Sequence, residues 1–215
     1  NVLYLTASDS ENVINTQMEL TESDANGRFA INNHDLLEAI KGFSEQPITF
    51  DVNLQDNIAK ISYQNGLFSL PVENADEYPQ SQPITEGINT IVMPSNVLAD
   101  NINRSLFATA QDELRPVMNG IYFDLTPEHL AVVASDGHKL VRNKVFTVQS
   151  EQPASFILPK KPAGLLKNLL QKDGGDVEIK FNERNAEINY GDGRLSCRLI
   201  EGRYPNYNSV IPQNN

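Results

Sequence analysis

The sequence holds one cysteine, Cys197, which excludes an internal disulfide framework and suits a reducing compartment. Its three histidines, His34, His129 and His138, stand far apart and share no short ligand spacing, which argues against a zinc site. The acidic run DGGD at 173–176 lacks the later ligands of a calcium loop and reads as a helix stop. No apolar run approaches the ~20 residues that span a bilayer. No signal peptide is visible, and the first residue is Asn1, not methionine. The expectation is a soluble cytoplasmic chain whose natural start is missing.

Basic charge is also scarce. Seventeen Lys and Arg stand against 28 Asp and Glu, for a net charge of −11. This balance argues against a protein that coats nucleic acid indiscriminately, because phosphate binding needs clustered cations, and it leaves room for a local basic surface. The bases that exist are not spread evenly. Lys160, Lys161, Lys167 and Lys172 crowd one short segment, with no acid among them.

Against these lacks stand 215 residues, 40% hydrophobic and 21% charged, enough for one or two globular domains with a sizeable core. An internal repeat organises them. Ile61, Tyr63, Gly66 and Ser69 each recur 127 residues later, as Ile188, Tyr190, Gly193 and Ser196. Ala7, Ser8 and Asp9 precede Ala134, Ser135 and Asp136 by the same 127, and Phe29 so precedes Phe156. The dipeptides Tyr78-Pro79 and Tyr204-Pro205 are one residue adrift, at 126. Matches at one offset over most of a unit mean tandem copies of a domain-sized repeat. The expected division is 1–86 for the later part of a first copy, which begins inside its repeat, and 87–212 for a complete second copy. Residues 80–87 (QSQPITEG) form the junction, and 213–215 begin a linker.

Periodicity predicts a helix after Pro94-Ser95 with Val97, Leu98, Ile102 and Leu106 on one face. Another is predicted over 162–171, with Leu165, Leu166, Leu169 and Leu170 inward. Strands are predicted at 120–123, 130–134, 177–181, 186–190 and 195–199. Two helices on a run of antiparallel strands make each unit α+β.

The stretch VVASDGHKLV (132–141) places Ser135, Asp136 and His138 together, the residue types of a hydrolase triad. A working triad is assembled by a fold from distant segments. Asp136-Gly137 reads more simply as a tight primed turn that needs positive φ. The first copy keeps Ser8 and Asp9 but has no histidine at the matching place, so Ser-Asp belongs to the scaffold. The lysine-rich helix, with Arg104 and Arg115 if both helices share a face, would suit sequence-neutral contact with duplex phosphates. A solvated helix face is the competing reading.

Two segments, RPVMNGIYFDLTPEHLAVVASDGHKLV (115–141) and EGRYPNYNSVIP (201–212), resemble the signature segments of the bacterial sliding clamp family, the β subunit of DNA polymerase III. The resemblance implies a processivity fold of three α+β copies, with two subunits closing head to tail around duplex DNA. Helices line the hole and sheets face outward. It implies a non-catalytic cytoplasmic, nucleoid-associated protein that needs no cofactor. It docks the replicative polymerase, the clamp loader and repair proteins through short linear peptides. The chain would hold part of the first domain, all of the second, and stop before a third. DNA-facing residues would be Lys41, Arg104, Arg115, Lys160, Lys161 and Lys167. The peptide groove would include Met118, Ser135, Gly137, His138, Lys139, Leu140, Pro205, Ser209 and Val210. Ser209 departs from the arginine frequent in the family. Phe68 and Leu70 would lie on a subunit-contact edge. A hydrolase using Ser135 and His138, and a clamp-like scaffold that does not bind DNA, remain the alternatives.

Overall fold

The computed structural model describes residues 1–170 and 174–212. Lys172 of the lysine cluster, the expected helix end at Gln171, Asp173 of the helix stop and the linker 213–215 lie outside the described residues. The chain forms two compact units. One is Thr21–Gln80 with Asn1; the other is Val2–Leu20 together with the chain from Ser81 onward. This differs from the division at 86 expected from the repeat. The physical reason is a ladder. Strands β1 (Val2–Ser8) and β2 (Asn12–Glu19) form a hairpin, and β2 pairs antiparallel with a strand of the second copy, β14 (Gly193–Arg198).

The smaller unit contains β3 (Phe29–Ile31), α1 (Asn33–Ile40), β4 (Thr49–Asn53), β5 (Ile58–Tyr63) and β6 (Gly66–Asn74). Its sheet runs β3-β6-β5-β4. Asn32 caps α1, its side chain accepting from the amides of His34 (2.9 Å) and Asp35 (3.3 Å). Strand β6 pairs with β5 over Gly66–Pro71 but meets β3 only at 72–74. Among the described residues the outer edge of 66–71 therefore has no ladder partner.

In the larger unit, β7 (Asn89–Pro94) leads into α2 (Ser95–Leu106), whose first amide donates to the Gly175 carbonyl at 2.9 Å. Leu98 and Ile102 are buried as the spacing predicted, with Val97 and Leu106 half-buried against the same core. Ala99 and Ser105 complete the buried stripe, while Asp100, Asn103 and Arg104 face out. Strands β8 (Gly120–Leu125), β9 (Leu130–Ser135), β10 (Leu140–Val145) and β11 (Ala154–Pro159) follow. Then come α3 (Lys160–Leu170), β12 (Asp176–Phe181), β13 (Asn185–Tyr190) and β14. Helix α3 starts two residues before the expected position, because the chain leaves β11 directly into its first turn.

The strands form a six-stranded sheet, β1-β2-β14-β13-β12-β7, and a four-stranded sheet, β10-β9-β8-β11. The main core lies between these sheets and the helix pair, with Ile102, Phe123, Leu158, Leu166 and Phe181 at its centre. Each such side chain stabilises the fold by about 1.5–3 kcal/mol through burial. Strand β9 is buried on both faces, which explains its continuous apolar run. Leu130 and Val132 join the main core. Ala131 and Val133 face a second cluster with Ile157, Tyr204 and Tyr207.

The repeat is visible in the hairpins themselves. Tyr63 pairs with Gly66 at the end of β5-β6, and Tyr190 with Gly193 at the end of β13-β14. In both, the tyrosine ring lies where a Cβ on the glycine would sit, 2.7 Å from the Tyr63 hydroxyl in the first. Glycine recurs at that offset because the ring folds over the turn. Cys197 is buried, and burial pushes its thiol up to about 12, so it is an unreactive core residue. No helix among the described residues is long and apolar enough to cross a membrane.

Candidate functional site

The loop between β9 and β10 is built from its own side chains. Ser135 and Leu140 are its closing pair, which leaves the four residues 136–139 in the loop. The expected tight primed turn is thus not formed. The Asp136 carboxylate accepts from the amides of His138 and Lys139, both at 2.9 Å, and holds a wider loop in which only Gly137 takes positive φ, +92°. The Ser135 hydroxyl donates to the Lys139 carbonyl at 2.8 Å and accepts from the Gly137 amide at 3.1 Å. Asp136 also pairs with the Lys139 ammonium. That cation, and then the two loop amides, hold the Asp136 carboxyl far below its ordinary range. Nothing among the described contacts joins the Ser135 hydroxyl to the His138 ring, which is exposed. The Ser135 and Asp136 side chains are spent on holding a loop, to which His138 gives only its backbone amide.

The same loop occurs one repeat earlier. Ser8 and Val13 close residues 9–12. The Asp9 carboxylate accepts from the amides of Glu11 (3.1 Å) and Asn12 (2.7 Å), and Ser8 Oγ from that of Ser10 (3.2 Å). Ser10 takes φ +75° where Gly137 takes its positive φ. The copies differ in the carboxylate's cation, which here is Lys161, at the start of α3. Lys161 is the main reason the Asp9 carboxyl falls well below its ordinary 3.8. A depressed carboxyl stabilises the folded state fully above that ordinary value, and the contribution is lost as pH falls through the folded value. Titration of the Asp9 carboxyl by NMR should give a midpoint well below 3.8, and Lys161→Ala should move it back toward that value.

Around the second-copy loop, a 3₁₀ helix at Pro116–Asn119 and another at Tyr207–Val210 complete one surface. Arg115 pairs with Asp112 (Nε to Oδ2, 2.7 Å), and its guanidinium lies over Gly137, where a Cβ would be 2.9 Å from Nη1. Sequence reasoning grouped Arg115 with the basic helices. Asp112 and the chain before the 3₁₀ helix instead turn it onto the loop that carries His138. Gly137→Ala should cost about 1–2 kcal/mol in denaturant unfolding, because it combines positive φ with this close contact.

The segment after β14 is anchored by aromatic rings. Tyr204 stacks on Tyr122 with centroids 4.7 Å apart, and Tyr207 meets Tyr122 edge-on at 6.3 Å. The Tyr207 hydroxyl donates to Asp124 at 2.8 Å. Burial, then the Asp124 carboxylate, pushes that phenol up to about 12, so the hydroxyl remains a donor at neutral pH. Burial likewise raises Tyr204 to about 12. Between and beyond these anchors Pro205, Ser209 and Val210 are exposed. Leu140 packs against the same cluster, and Met118 is buried in the 3₁₀ helix that follows Arg115. The tyrosine anchors were the missed part of the site. Their signal was the spacing of Tyr204 and Tyr207, three residues apart, with Tyr207 opening the second 3₁₀ helix.

The basic residues are placed differently. Helices α2 and α3 pack side by side. Arg104 is exposed, while Lys160 and Lys167 are half-buried, and none of the three has a carboxylate partner among the described residues. Lys161 is held by Asp9. Lys41 follows α1 in the smaller unit and pairs with Glu38 at 2.6 Å. In that unit Phe68 and Leu70 are half-buried on β6, Phe68 grouped with Phe43 and Tyr63 at 5.8 and 6.2 Å, while Leu67 is 60% exposed. No group of three or more metal-ligating side chains occurs among the described residues.

An α+β repeat, with helices packed on antiparallel sheets, is the architecture shared with DNA-clamp structures. Residues 92–206 match the model of the DNA polymerase III beta subunit central domain, and residues 1–82 that of its N-terminal domain. The chain belongs to the DNA polymerase III beta subunit family. It is 27% identical over 212 residues to the beta sliding clamp of Haemophilus influenzae, covering 99% of this chain and 57% of that one. The beta sliding clamp of Borreliella burgdorferi is 34% identical over 113 residues, 52% of this chain and 29% of that one. The DNA polymerase III subunit beta of Pseudomonas aeruginosa superposes with a TM-score of 0.89 at 23% identity, over 99% of this chain and 58% of that one. The Helicobacter pylori beta clamp, solved with a DNA ligase peptide bound, gives 0.83 at 24% identity, over 99% and 59%. The chain spans a little more than half the length of the Haemophilus relative and of these two solved structures.

Proposed function

We propose that the chain is part of a sliding clamp, a ring that encircles duplex DNA and tethers a replicative polymerase and other partners without catalysing a reaction itself. The observation that carries this reading is the adjacent helix pair α2 and α3. In a protein of net charge −11, Arg104, Lys160 and Lys167 stand on these two helices without carboxylate partners among the described residues. Screened contacts from such cations hold phosphates weakly enough to slide. The fold's family supports the ring, whose closure keeps the protein on DNA without tight binding.

The surface of Met118, Ser135, Gly137, His138, Lys139, Leu140, Pro205, Ser209 and Val210, with Arg115 added, is the docking groove for short linear peptides. Its apolar floor is the tyrosine cluster, and its rim is polar. Phe68 and Leu70 lie on the β6 edge through which two subunits join as a homodimer, with backbone groups of 66–71 free for a neighbouring strand. The protein works in the bacterial cytoplasm, at the nucleoid.

Retention on DNA tests the ring. The full-length protein, loaded on a nicked circular duplex, should remain bound through gel filtration and be lost once the circle is cut. Equal retention on circular and linear DNA would sink the topological mechanism.

A further inference from the structure

The rim of the docking groove carries several cations, and their partners divide them. The Lys139 ammonium is matched by Asp136, and Arg115 by Asp112. Arg142 is different. It lies two residues beyond Leu140 on β10, so both side chains leave the same face of the strand, and Leu140 packs against the tyrosine cluster. From there Arg142 reaches the second 3₁₀ helix, where its Nη1 donates to Asn208 Oδ1 at 3.1 Å. Asn208 sits between the buried anchor Tyr207 and the exposed pair Ser209 and Val210. No carboxylate among the described residues pairs with Arg142.

One amide oxygen therefore orients a guanidinium that keeps most of its five donors free. A planar fork held this way fits a carboxylate through two parallel hydrogen bonds. The neighbouring Ser209 does not compete for such a ligand as a donor, since its hydroxyl is already given to the Asn206 carbonyl at 2.7 Å. The body's net charge of −11 repels an acidic ligand at long range, so an acid can be favoured here only by a short-range contact.

We propose that Arg142 is a specificity determinant of the docking groove, reading an acidic side chain that flanks the apolar anchors of a bound peptide. The inference rests on the peptide-groove reading above. It selects among peptides that share the anchors, and it predicts that partners carry Asp or Glu beside them.

The test uses the full-length protein and short synthetic peptides with two large apolar anchors, in matched pairs with glutamate or glutamine at each flanking position. A third peptide has both anchors replaced by alanine. Fluorescence anisotropy should show roughly tenfold tighter binding for one glutamate peptide over its glutamine twin, the size of a charge-assisted hydrogen bond. Arg142→Gln should abolish that preference while leaving the glutamine peptide's affinity unchanged. Arg142→Lys should retain only part of it, because a point charge lacks the fork. The preference should also shrink as salt is raised. A glutamate preference that survives in Arg142→Gln, or no preference at any flank in the natural protein, overturns the role of Arg142 alone. Equal binding of the anchor-alanine peptide overturns the groove itself.

Discussion

Replacing Phe123 with alanine is expected to destabilise the larger unit by about 3–5 kcal/mol, the range for truncating a buried aromatic side chain. Phe123 is fully buried at the centre of β8 and stacks on Phe156 of β11, with centroids 4.6 Å apart and planes 5° from parallel. Phe156 in turn meets Phe181 of β12 at 4.4 Å. β8 and β11 belong to the four-stranded sheet and β12 to the six-stranded one, so this column of rings joins the two sheets. The close packing leaves little freedom for neighbours to collapse into the vacated space, and part of the cost is the cavity itself. Urea unfolding followed by circular dichroism measures the change. A loss under about 1 kcal/mol would mean that the sheets close around the gap, contrary to the packing described.

The second large effect is on DNA. In the full-length protein, changing Arg104, Lys160 and Lys167 together to glutamate should lower duplex affinity roughly a hundredfold or more at moderate salt. Each lost phosphate contact should also reduce the slope of log affinity against log salt by about 0.9. Lys161→Glu alone should do less to DNA binding and more to local stability, because its ammonium is committed to Asp9. That contrast separates a surface that works by free charge from one that counts lysines. If the triple reversal leaves affinity and slope unchanged, the clamp-like scaffold without DNA binding is the better reading.

Much of this was legible in the sequence because it is local. The turn residues at Gly66 and Gly193, the apolar stripes of α2 and α3 and the Ser-Asp echo each depend on neighbours close along the chain. The 127-residue offset then linked the two copies without any structure. What escaped was decided by contacts between distant segments. Nothing near Arg115 in sequence says that its guanidinium will lie over Gly137. Nothing near Lys161 points to Asp9. Nothing near Arg142 points to Asn208, which meets it only because the 201–212 segment folds back. The turn at Asp136-Gly137 failed for a subtler reason. Dipeptide chemistry demanded positive φ at Gly137, and that is found, but the Asp136 side chain bonded two amides and widened the loop.

The ladder between β2 and β14 carries a practical consequence for anyone dividing the molecule. Cutting at residue 86, where the repeat ends in sequence, would remove β1 and β2 from the sheet they complete. The fragment from 87 onward would present β14 as a bare edge, with the backbone groups that now meet residues 12–16 left open. Such an edge is a template for any other strand, so the excised repeat would favour self-association and aggregation over a clean monomer. A soluble single-repeat fragment must therefore carry the 2–19 hairpin with it, joined to the repeat by a linker in place of the smaller unit.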